Sequence, residues 1–372
     1  MSELNPFAVN RAEYMRDLWK YYVPLKELDL ETSKALVIEG GRGTGKSTVF
    51  LCNCWRNQLA AAENDPAKTI DSFLSQKTSF DFEIIIHDDA SSDGTQDIIR
   101  KYVEKYPDKI IPIFQKQNQY SKGVENSITF CYPQARGKYI ALCEGDDYWC
   151  DDYKLEKQVT IFESNPECTF IFSNGYSYNE KNNEMTPFLP RREKERQIAE
   201  YSHFMNLGEN LKFSFIPTAS FIFRKETLNQ LPEEFKIYCP TGDLRTRLYL
   251  IGQKKAYYFK DKMVVYRENT PGSVMASWEK LNTDQAYKNF KSILDMLERV
   301  NVYTNCEYLD AIREYEIPHR KALLLNTKSF HDLLEAENKI VYKNCTILEK
   351  MKILGKIVLP KTICDTLKKR NR

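Results

Sequence analysis

The stretch Tyr139–Trp149 places a short apolar run directly before a cluster of acidic residues. The apolar run predicts a buried β-strand, and a strand delivers the side chains that follow it to one fixed place. Glu144, Asp146 and Asp147 would repel one another there unless a cation neutralises them. Hard divalent ions such as Mg²⁺ or Mn²⁺ prefer oxygen ligands of this kind. A metal site is therefore one interpretation; the other is an acidic loop that caps a helix starting near Asp152.

A second apolar strand upstream also ends in carboxylates. The run Phe82–Ile86 leads through one histidine into Asp88 and Asp89. A helix is predicted from Gln96 to about Tyr106, and either Asp93 or Thr95 can cap its N-terminus. Ligands of open α/β sheets bind outside the carboxyl ends of the strands. Two strands with acidic ends therefore suggest one shared crevice.

Taken together, these segments resemble the family-2 glycosyltransferases of the GT-A fold. This is the nucleotide-sugar-dependent type of enzyme that builds bacterial surface polysaccharides. The residues that carry the similarity are His87–Thr95, Gly137–Ala141 and Glu144–Trp149, within a stretch from about Ala67 to Arg267. The resemblance implies an α/β fold with a doubly wound, mostly parallel sheet flanked by helices. Beyond residue 278 the apolar pattern is helical and predicts a helical C-terminal extension.

The resemblance also implies where a nucleotide-sugar donor binds. Asp89 corresponds to the carboxylate that hydrogen-bonds the nucleotide base, and Asp88 and Asp93 lie in the same turn. Asp146, together with Asp147, matches the acidic pair that binds the donor ribose and the metal. Arg267 follows a strand-rich stretch, and pairing with a phosphate and pairing with a carboxylate are both open.

The same resemblance implies a metal ion, Mn²⁺ or Mg²⁺. Asp147 and Asp146 match the acidic pair that reaches the metal, while Glu144 stands where the family often has aspartate. Such a metal bridges the diphosphate and stabilises charge on the leaving group.

An inverting transfer further requires a base that takes the proton from the acceptor hydroxyl. Asp243 matches the family's base, at the start of an apolar helix, although an aspartate there also stabilises the helix N-terminus. The segment around Thr218 and Ser220 resembles the strand that borders the acceptor site, and Trp149 is a further acceptor candidate. Hydroxyls that merely belong to a strand are the alternative for the first two.

The N-terminal part of the chain has a different character. It fits the phosphate-loop pattern G-x-x-x-x-G-K-[ST] with Gly40, Gly45, Lys46 and Ser47 at the fixed positions. In such a loop, backbone N–H groups cradle phosphates, the lysine reaches the terminal phosphates and the hydroxyl holds Mg²⁺. The pattern predicts a strand before the loop and a helix after it, Ser47 to about Ala62.

The region around this loop, from Asn5 to about Gln58, resembles the start of an AAA-type or STAND-type ATPase. The first strand expected of a glycosyltransferase is missing from its usual place. Three interpretations are open: an active glycosyltransferase whose vacant strand position is filled by the N-terminal unit, an ATP-binding phosphate-loop module, and an inactive hybrid of the two.

Composition limits the remaining possibilities. The chain has 372 residues and a formal net charge of +2, which gives no case for nucleic-acid binding. We predict three regions: 1–62, ATPase-like; 63–275, the glycosyltransferase domain; and 276–372, helical with a basic tail. Ten cysteines without a CxxC pair and the lack of an apolar leader favour a cytoplasmic protein.

The sequence therefore predicts a metal-dependent, inverting glycosyltransferase that uses a nucleotide-sugar, foremost a UDP-sugar. The acceptor is a glycan or a lipid-linked sugar, in the synthesis of cell-surface polysaccharide. The tail Ile347–Arg372 mixes apolar and basic residues. Contact with the inner face of the cell membrane is one interpretation of it, and a frayed basic C-terminus is the other.

Overall fold

The computed structural model describes residues 48–54, 65–268, 278 and 281–358. Within them, ten strands form a single sheet. The strands are β1 (Thr48–Cys54), β2 (Phe82–Asp88), β3 (Ile110–Phe114), β4 (Tyr139–Glu144), β5 (Tyr148–Trp149), β6 (Cys168–Asn179), β7 (Glu184–Pro187), β8 (His203–Met205), β9 (Ile222–Arg224) and β10 (Lys255–Glu268).

The order along this sheet is β3-β2-β1-β4-β9-β6-β10-β5, with β7 beside β6 and β8 beside β10. The block β3-β2-β1-β4 is parallel throughout, and β10 is parallel to β6. Strand β9 is antiparallel to both of its neighbours. Parallel neighbours require crossover connections, and helices supply them here.

The helices lie on both sides of the sheet and continue beyond it. They are α1 (Asp65–Leu74), α2 (Thr95–Lys105), α3 (Lys154–Ser164), α4 (Arg196–Ala199), α5 (Leu207–Asn210), α6 (Gly242–Ile251), α7 (Thr283–Tyr303), α8 (Leu309–Asn326), α9 (His331–Leu334), α10 (Ala336–Lys343) and α11 (Ile347–Val358). Among the described residues, no helix combines the length and the apolar character needed to cross a bilayer.

Strand β1 corrects the prediction of a helix beginning at Ser47. Thr48–Cys54 is a strand and lies between β2 and β4, parallel to both. The first strand of the sheet is therefore present, and the prediction that it is missing is also wrong. Two hydrogen-bonded neighbours satisfy its backbone groups on both edges, and its β-branched start at Thr48 and Val49 suits a strand. The rest of that predicted helix, 55–62, lies outside the described residues.

The sheet is covered on both faces, as the predicted doubly wound fold requires. Along β2, Ile84 and Ile86 belong to one buried cluster, with Phe73 of α1 and Phe162 of α3. Ile85 points the other way, into a cluster formed largely by β6, β9, α6 and α7. Consecutive strand residues face opposite sides of a sheet, so a strand covered on both sides is apolar throughout.

The predicted helical extension is confirmed. In α7, Met296, Leu297 and Val300 are buried in the same cluster as the sheet. Helices α8 to α11 enclose a smaller cluster of their own, which includes Leu324 and Ile353. All described residues belong to one compact unit, Gly45–Arg372; the division into 1–62, 63–275 and 276–372 stays a prediction.

Candidate functional site

The two acidic turns meet at one edge of the sheet because β1 separates their strands by a single position. In the parallel register Asn53 is level with both His87 and Glu144, and Cys54 is level with Asp88. Neighbouring strands lie about 5 Å apart, so the ends of β2 and β4 are about 10 Å apart. The two acidic turns therefore lie on the same edge of the sheet, with the end of β1 between them; that they line one shared crevice stays a prediction.

In the first turn, the three predicted aspartates are held in different ways. Asp88 is fully buried, and its Oδ2 accepts from the amide of Ser91 at 3.1 Å and from Gln96 Nε2 at 2.5 Å. Its Oδ1 is buried and has no hydrogen-bond partner. Asp93 Oδ1 accepts from the Thr95 amide and hydroxyl, which secures the start of α2.

Asp89 is 1% exposed, and both of its oxygens are used. The amides of Gln119 and Tyr120 donate to them at 2.7 and 2.9 Å. The next residue, Ala90, has φ of 63°, a left-handed conformation that is uncommon outside glycine. The contact of Asp88 with the Ser91 amide and those of Asp89 with the Gln119 and Tyr120 amides stabilise this conformation of the turn.

In the second turn, helix α1 fixes the backbone. The Thr69 hydroxyl lies 2.9 Å from the carbonyl oxygen of Gly145 and 2.7 Å from that of Asp147. The Trp149 amide donates to Ser72 Oγ at 3.1 Å. Asp147 Oδ1 in turn accepts from the Arg267 amide at 2.9 Å. The acidic turn is thus held between α1 and β10.

The carboxylates of this turn are poorly satisfied. Asp147 is 1% exposed, and its Oδ2 is buried without a hydrogen-bond partner. Burial, followed by the charges of Asp146 and Glu144, raises the pKa of Asp147 well above its usual range. Burial and then the charge of Asp146 raise the pKa of Glu144 to about 7, and Glu144 Oε2 is also buried without a partner. Burying ionised carboxylates together is costly unless a positive charge compensates.

These side chains fit a hard divalent cation. Asp147 and Glu144 each offer a buried oxygen that no protein group satisfies. In the described part of the chain, three ligand atoms lie within 4.8 Å of one another at His331, Asp332 and Glu335 rather than at this turn. A cation at the turn would therefore rest on one or two carboxylates and on oxygens of a bound ligand, as Mg²⁺ commonly does.

Asp243 reaches the same centre from a distant part of the sequence. It lies in the first turn of α6, and Thr241 occupies the N-cap position. The charge of Asp243 is one of those that raise the pKa of Glu144. Nearby, the buried guanidinium of Arg245 donates to Glu125 Oε1 at 2.8 Å. The fold therefore adds a third carboxylate to the pair at the end of β4.

The predicted acceptor residues divide into one that reaches the acidic centre and two that support it. The Thr218 side chain lies close enough to Glu144 to lower the pKa of that carboxyl against the effect of burial. Ser220 is fully buried and donates from Oγ to the Pro217 carbonyl at 2.7 Å. Trp149 is 4% exposed, and its indole N–H donates to the Ala219 carbonyl at 2.9 Å.

Arg267 lies against the acidic turn as well. Besides its amide bond to Asp147, its Nε donates to Glu180 Oε1 at 2.5 Å and its Nη1 to the Asp146 carbonyl at 3.5 Å. The sequence left open whether Arg267 pairs with a phosphate or with a carboxylate, and in this structure it pairs with the carboxylate of Glu180. Glu180 is a contact that sequence reasoning missed, because it is 87 residues away in the chain and no pattern marks it.

The phosphate-loop residues Gly40, Gly45, Lys46 and Ser47 lie outside the described residues. What the structure does describe is their C-terminal neighbour, β1, which begins at Thr48. A phosphate loop depends on the N-terminus of the helix that follows it. In this structure the residues that follow the loop, from Thr48, form a central strand and not a helix.

The described part of the chain has the fold of the GT-A glycosyltransferases. S. aureus TarS 1–349, crystallised in complex with UDP-GlcNAc, is similar in structure with a TM-score of 0.55. That match covers 84% of this chain and 89% of the other at 15% sequence identity. Residues 62–232 match the model of Glycosyl transferase family 2. The chain therefore contains a family 2 glycosyltransferase domain, as the acidic turns predict.

Curated relatives match this domain only in part. An uncharacterized protein of Mycobacterium tuberculosis is 36% identical over 162 residues, 43% of this chain and 43% of that protein. The UDP-Glc:alpha-D-GlcNAc-diphosphoundecaprenol beta-1,3-glucosyltransferase WfaP of Escherichia coli is 39% identical over 108 residues, 29% of this chain and 39% of WfaP. The chain thus spans about two fifths of the length of these relatives. A second family model, ORC-CDC6-like, matches residues 5–80, so the N-terminal region is similar to a different family.

Proposed function

We propose that this protein is a metal-dependent, inverting glycosyltransferase that moves a sugar from a nucleotide-sugar donor. The observation that carries the proposal is the pair of buried carboxylate oxygens without partners, Glu144 Oε2 and Asp147 Oδ2, at the carboxyl end of a central strand. Such oxygens suit a divalent cation, and the crevice at this edge is where open sheets bind nucleotides. The family 2 domain supports the same chemistry.

On the donor side, one or two of the carboxylates Asp147, Asp146 and Glu144 would hold Mn²⁺ or Mg²⁺. When bound, the metal would neutralise charge on the diphosphate as it leaves. Asp88 Oδ1 is buried without a partner, so it can accept a hydrogen bond from the nucleotide. Asp89 and Asp93 shape this pocket through the amide and hydroxyl contacts that they already make.

On the acceptor side, Asp243 would act as the base. Its proximity to Glu144 supports this role, because the acceptor hydroxyl must lie next to the reacting carbon. Asp243 would take the proton of that hydroxyl as the hydroxyl oxygen attacks the anomeric carbon. Thr218 would position the acceptor edge of the site through its contact with Glu144.

The identity of the substrates is proposed from relatives. WfaP is named for a UDP-glucose donor and a diphosphoundecaprenol-linked acceptor, and TarS was crystallised with UDP-GlcNAc. We therefore propose a UDP-sugar as donor and a lipid-linked or glycan acceptor, in cell-surface polysaccharide synthesis. A lipid-linked acceptor would require the protein to work in the cytoplasm at the inner face of the membrane.

An ATP-binding module remains the second candidate, favoured by the phosphate-loop pattern at Gly40–Ser47. The ORC-CDC6-like match over residues 5–80 agrees with it. Strand β1 argues against it, because it replaces the helix on which phosphate binding depends. An inactive hybrid is the third candidate.

Calorimetric titration with UDP, GDP and ATP, with and without Mn²⁺, tests these candidates. The proposed function predicts Mn²⁺-dependent binding of UDP or GDP that is lost in Asp147→Ala. Asp243→Asn should keep that binding and lower kcat of sugar transfer by about 10²–10⁴-fold, the usual contribution of a general base. Binding of ATP alone would support the phosphate-loop module, and binding of none of the three would support the inactive hybrid.

A further inference from the structure

Helix α11 (Ile347–Val358) carries two apolar faces. Its inward face buries Ile353, which is fully inaccessible to solvent within the small cluster of the C-terminal helices. Its outward face carries four residues at helical spacing, with exposures of 78% for Ile347, 64% for Met351, 40% for Leu354 and 75% for Val358. Residues spaced in this way lie along one side of a helix. One helix needs only one apolar face to pack, so the outward stripe is not explained by folding.

The stripe belongs to a larger apolar surface. Single exposed apolar residues are ordinary, whereas a contiguous group marks a site of interaction. Leu348 adjoins the stripe and is 71% exposed, and Ile340 of the preceding helix α10 is 62% exposed. We define this docking face as Ile340, Ile347, Leu348, Met351, Leu354 and Val358.

The segment that carries the docking face is rich in lysine. Residues 336–358 contain five lysines and two glutamates, a net charge of +3, whereas the whole chain carries only +2. Lys339, Lys343 and Lys352 are exposed. The sequence that follows, 359–372, has five basic residues and one acidic residue, a further +4.

We propose that the docking face binds an anionic lipid membrane, with its apolar side chains in the acyl boundary and its lysines at the headgroups. A helix that combines an apolar stripe with flanking lysines binds such surfaces both by burying apolar area and by electrostatic attraction to anionic lipids. Each lysine near an anionic surface contributes about 1 kcal/mol. A second copy of the chain is the less suitable occupant, because a symmetric contact would bring the two lysine groups together. This inference extends the proposed function, since a lipid-linked acceptor resides in that membrane.

Co-sedimentation of the full chain with vesicles tests the inference without any sugar substrate. The vesicles are phosphatidylcholine alone and phosphatidylcholine with phosphatidylglycerol. Wild type should bind the anionic vesicles and release them at high salt. Met351→Glu should weaken binding about tenfold or more, because burial of one such side chain is worth about 1.5–3 kcal/mol.

The matched control is Val302→Glu. Val302 is 66% exposed near the end of α7, so this variant adds the same charge outside the docking face. It should bind anionic vesicles as wild type does. Lys352→Glu should weaken binding to anionic vesicles and leave the melting temperature unchanged, because the side chain is exposed.

Three results would overturn the inference. The first is no vesicle binding by wild type, and the second is equal binding to neutral and anionic vesicles. The third is a dimer in solution that Met351→Glu dissociates, which would make a second copy the occupant. UDP binding and sugar transfer to a soluble acceptor are measured separately. A lack of vesicle binding therefore leaves the proposed function intact, and a lack of UDP binding or sugar transfer leaves the proposed membrane contact intact.

Discussion

The substitution Glu144→Gln should stabilise the metal-free protein above neutral pH while weakening its response to metal. Glu144 ends β4, and its Oε2 is buried without a partner. Burial and the charge of Asp146 raise its pKa from 4.5 to about 7. Glutamine keeps the size and the hydrogen-bonding capacity of the side chain and removes the charge that the fold disfavours.

The magnitude follows from proton linkage. The unfolded chain releases this proton near pH 4.5, and the folded protein holds it until about pH 7. Between these values the folded state binds more protons, so stability is lost as the pH rises. The full effect of this pKa difference is about 3 kcal/mol. For a domain of this size that corresponds to a melting-temperature difference on the order of 5 °C.

The assay is thermal unfolding of both proteins in chelator at several pH values. The advantage of Glu144→Gln should be small near about pH 4.5, grow until about pH 7 and then stay constant. Adding Mn²⁺ at high pH should raise the melting temperature of wild type more than that of the variant, because the ion binds the charged carboxylates. Glu226→Gln, at an exposed glutamate, is the control and should show neither effect.

One result would refute this reasoning. If the difference between Glu144→Gln and wild type did not depend on pH in chelator, Glu144 would not be buried beside Asp146 as the structure has it. The proposal of a metal site would then lose its support, because it depends on the free-energy cost of burying charged carboxylates without a cation.

Two further predictions concern the sheet and the N-terminal loop. Gly175→Ala should destabilise the protein by about 1–3 kcal/mol, because a Cβ at Gly175 would lie 2.6 Å from the Val264 carbonyl oxygen of the paired strand. Urea unfolding measures this loss, with Gly242→Ala as control, where the added Cβ meets its nearest neighbour at 3.7 Å; equal stability of the two variants would contradict the pairing. Lys46→Ala should leave UDP binding and sugar transfer unchanged, because a strand follows this residue closely instead of a phosphate-binding helix; a loss of either would show that the loop contributes to the site.

Sequence patterns predicted the local features of the acidic turns. An apolar run followed by Glu144, Asp146 and Asp147 marks the end of a buried strand, and β4 ends at Glu144. Helix α2, predicted from Gln96, begins at Thr95. These features depend on side-chain periodicity and on short-range capping, which neighbouring residues determine between themselves.

Strand β1 shows where local patterns failed. The residues after Ser47 fit a phosphate-loop helix by motif, but pairing with β2 and β4 makes Thr48–Cys54 a strand. The strand conformation depends on pairing with strands 30 or more residues away in the chain, and a local motif contains no information about them. Tertiary pairing overrides local preference in such segments.

The sequence by itself determined which residues are charged and which apolar strands are followed by acidic residues, because both features are patterns of neighbouring residues along the chain. Only the tertiary structure decided that the charge of Asp243 raises the pKa of Glu144 and that the Arg267 amide donates a hydrogen bond to Asp147. It also decided that Glu144 Oε2 and Asp147 Oδ2 are buried without hydrogen-bond partners. The outward stripe of α11 also became visible only once Ile353 was seen to bury the opposite face. The physical reason is that burial and electrostatic coupling depend on distances through space, and the sequence records only distances along the chain.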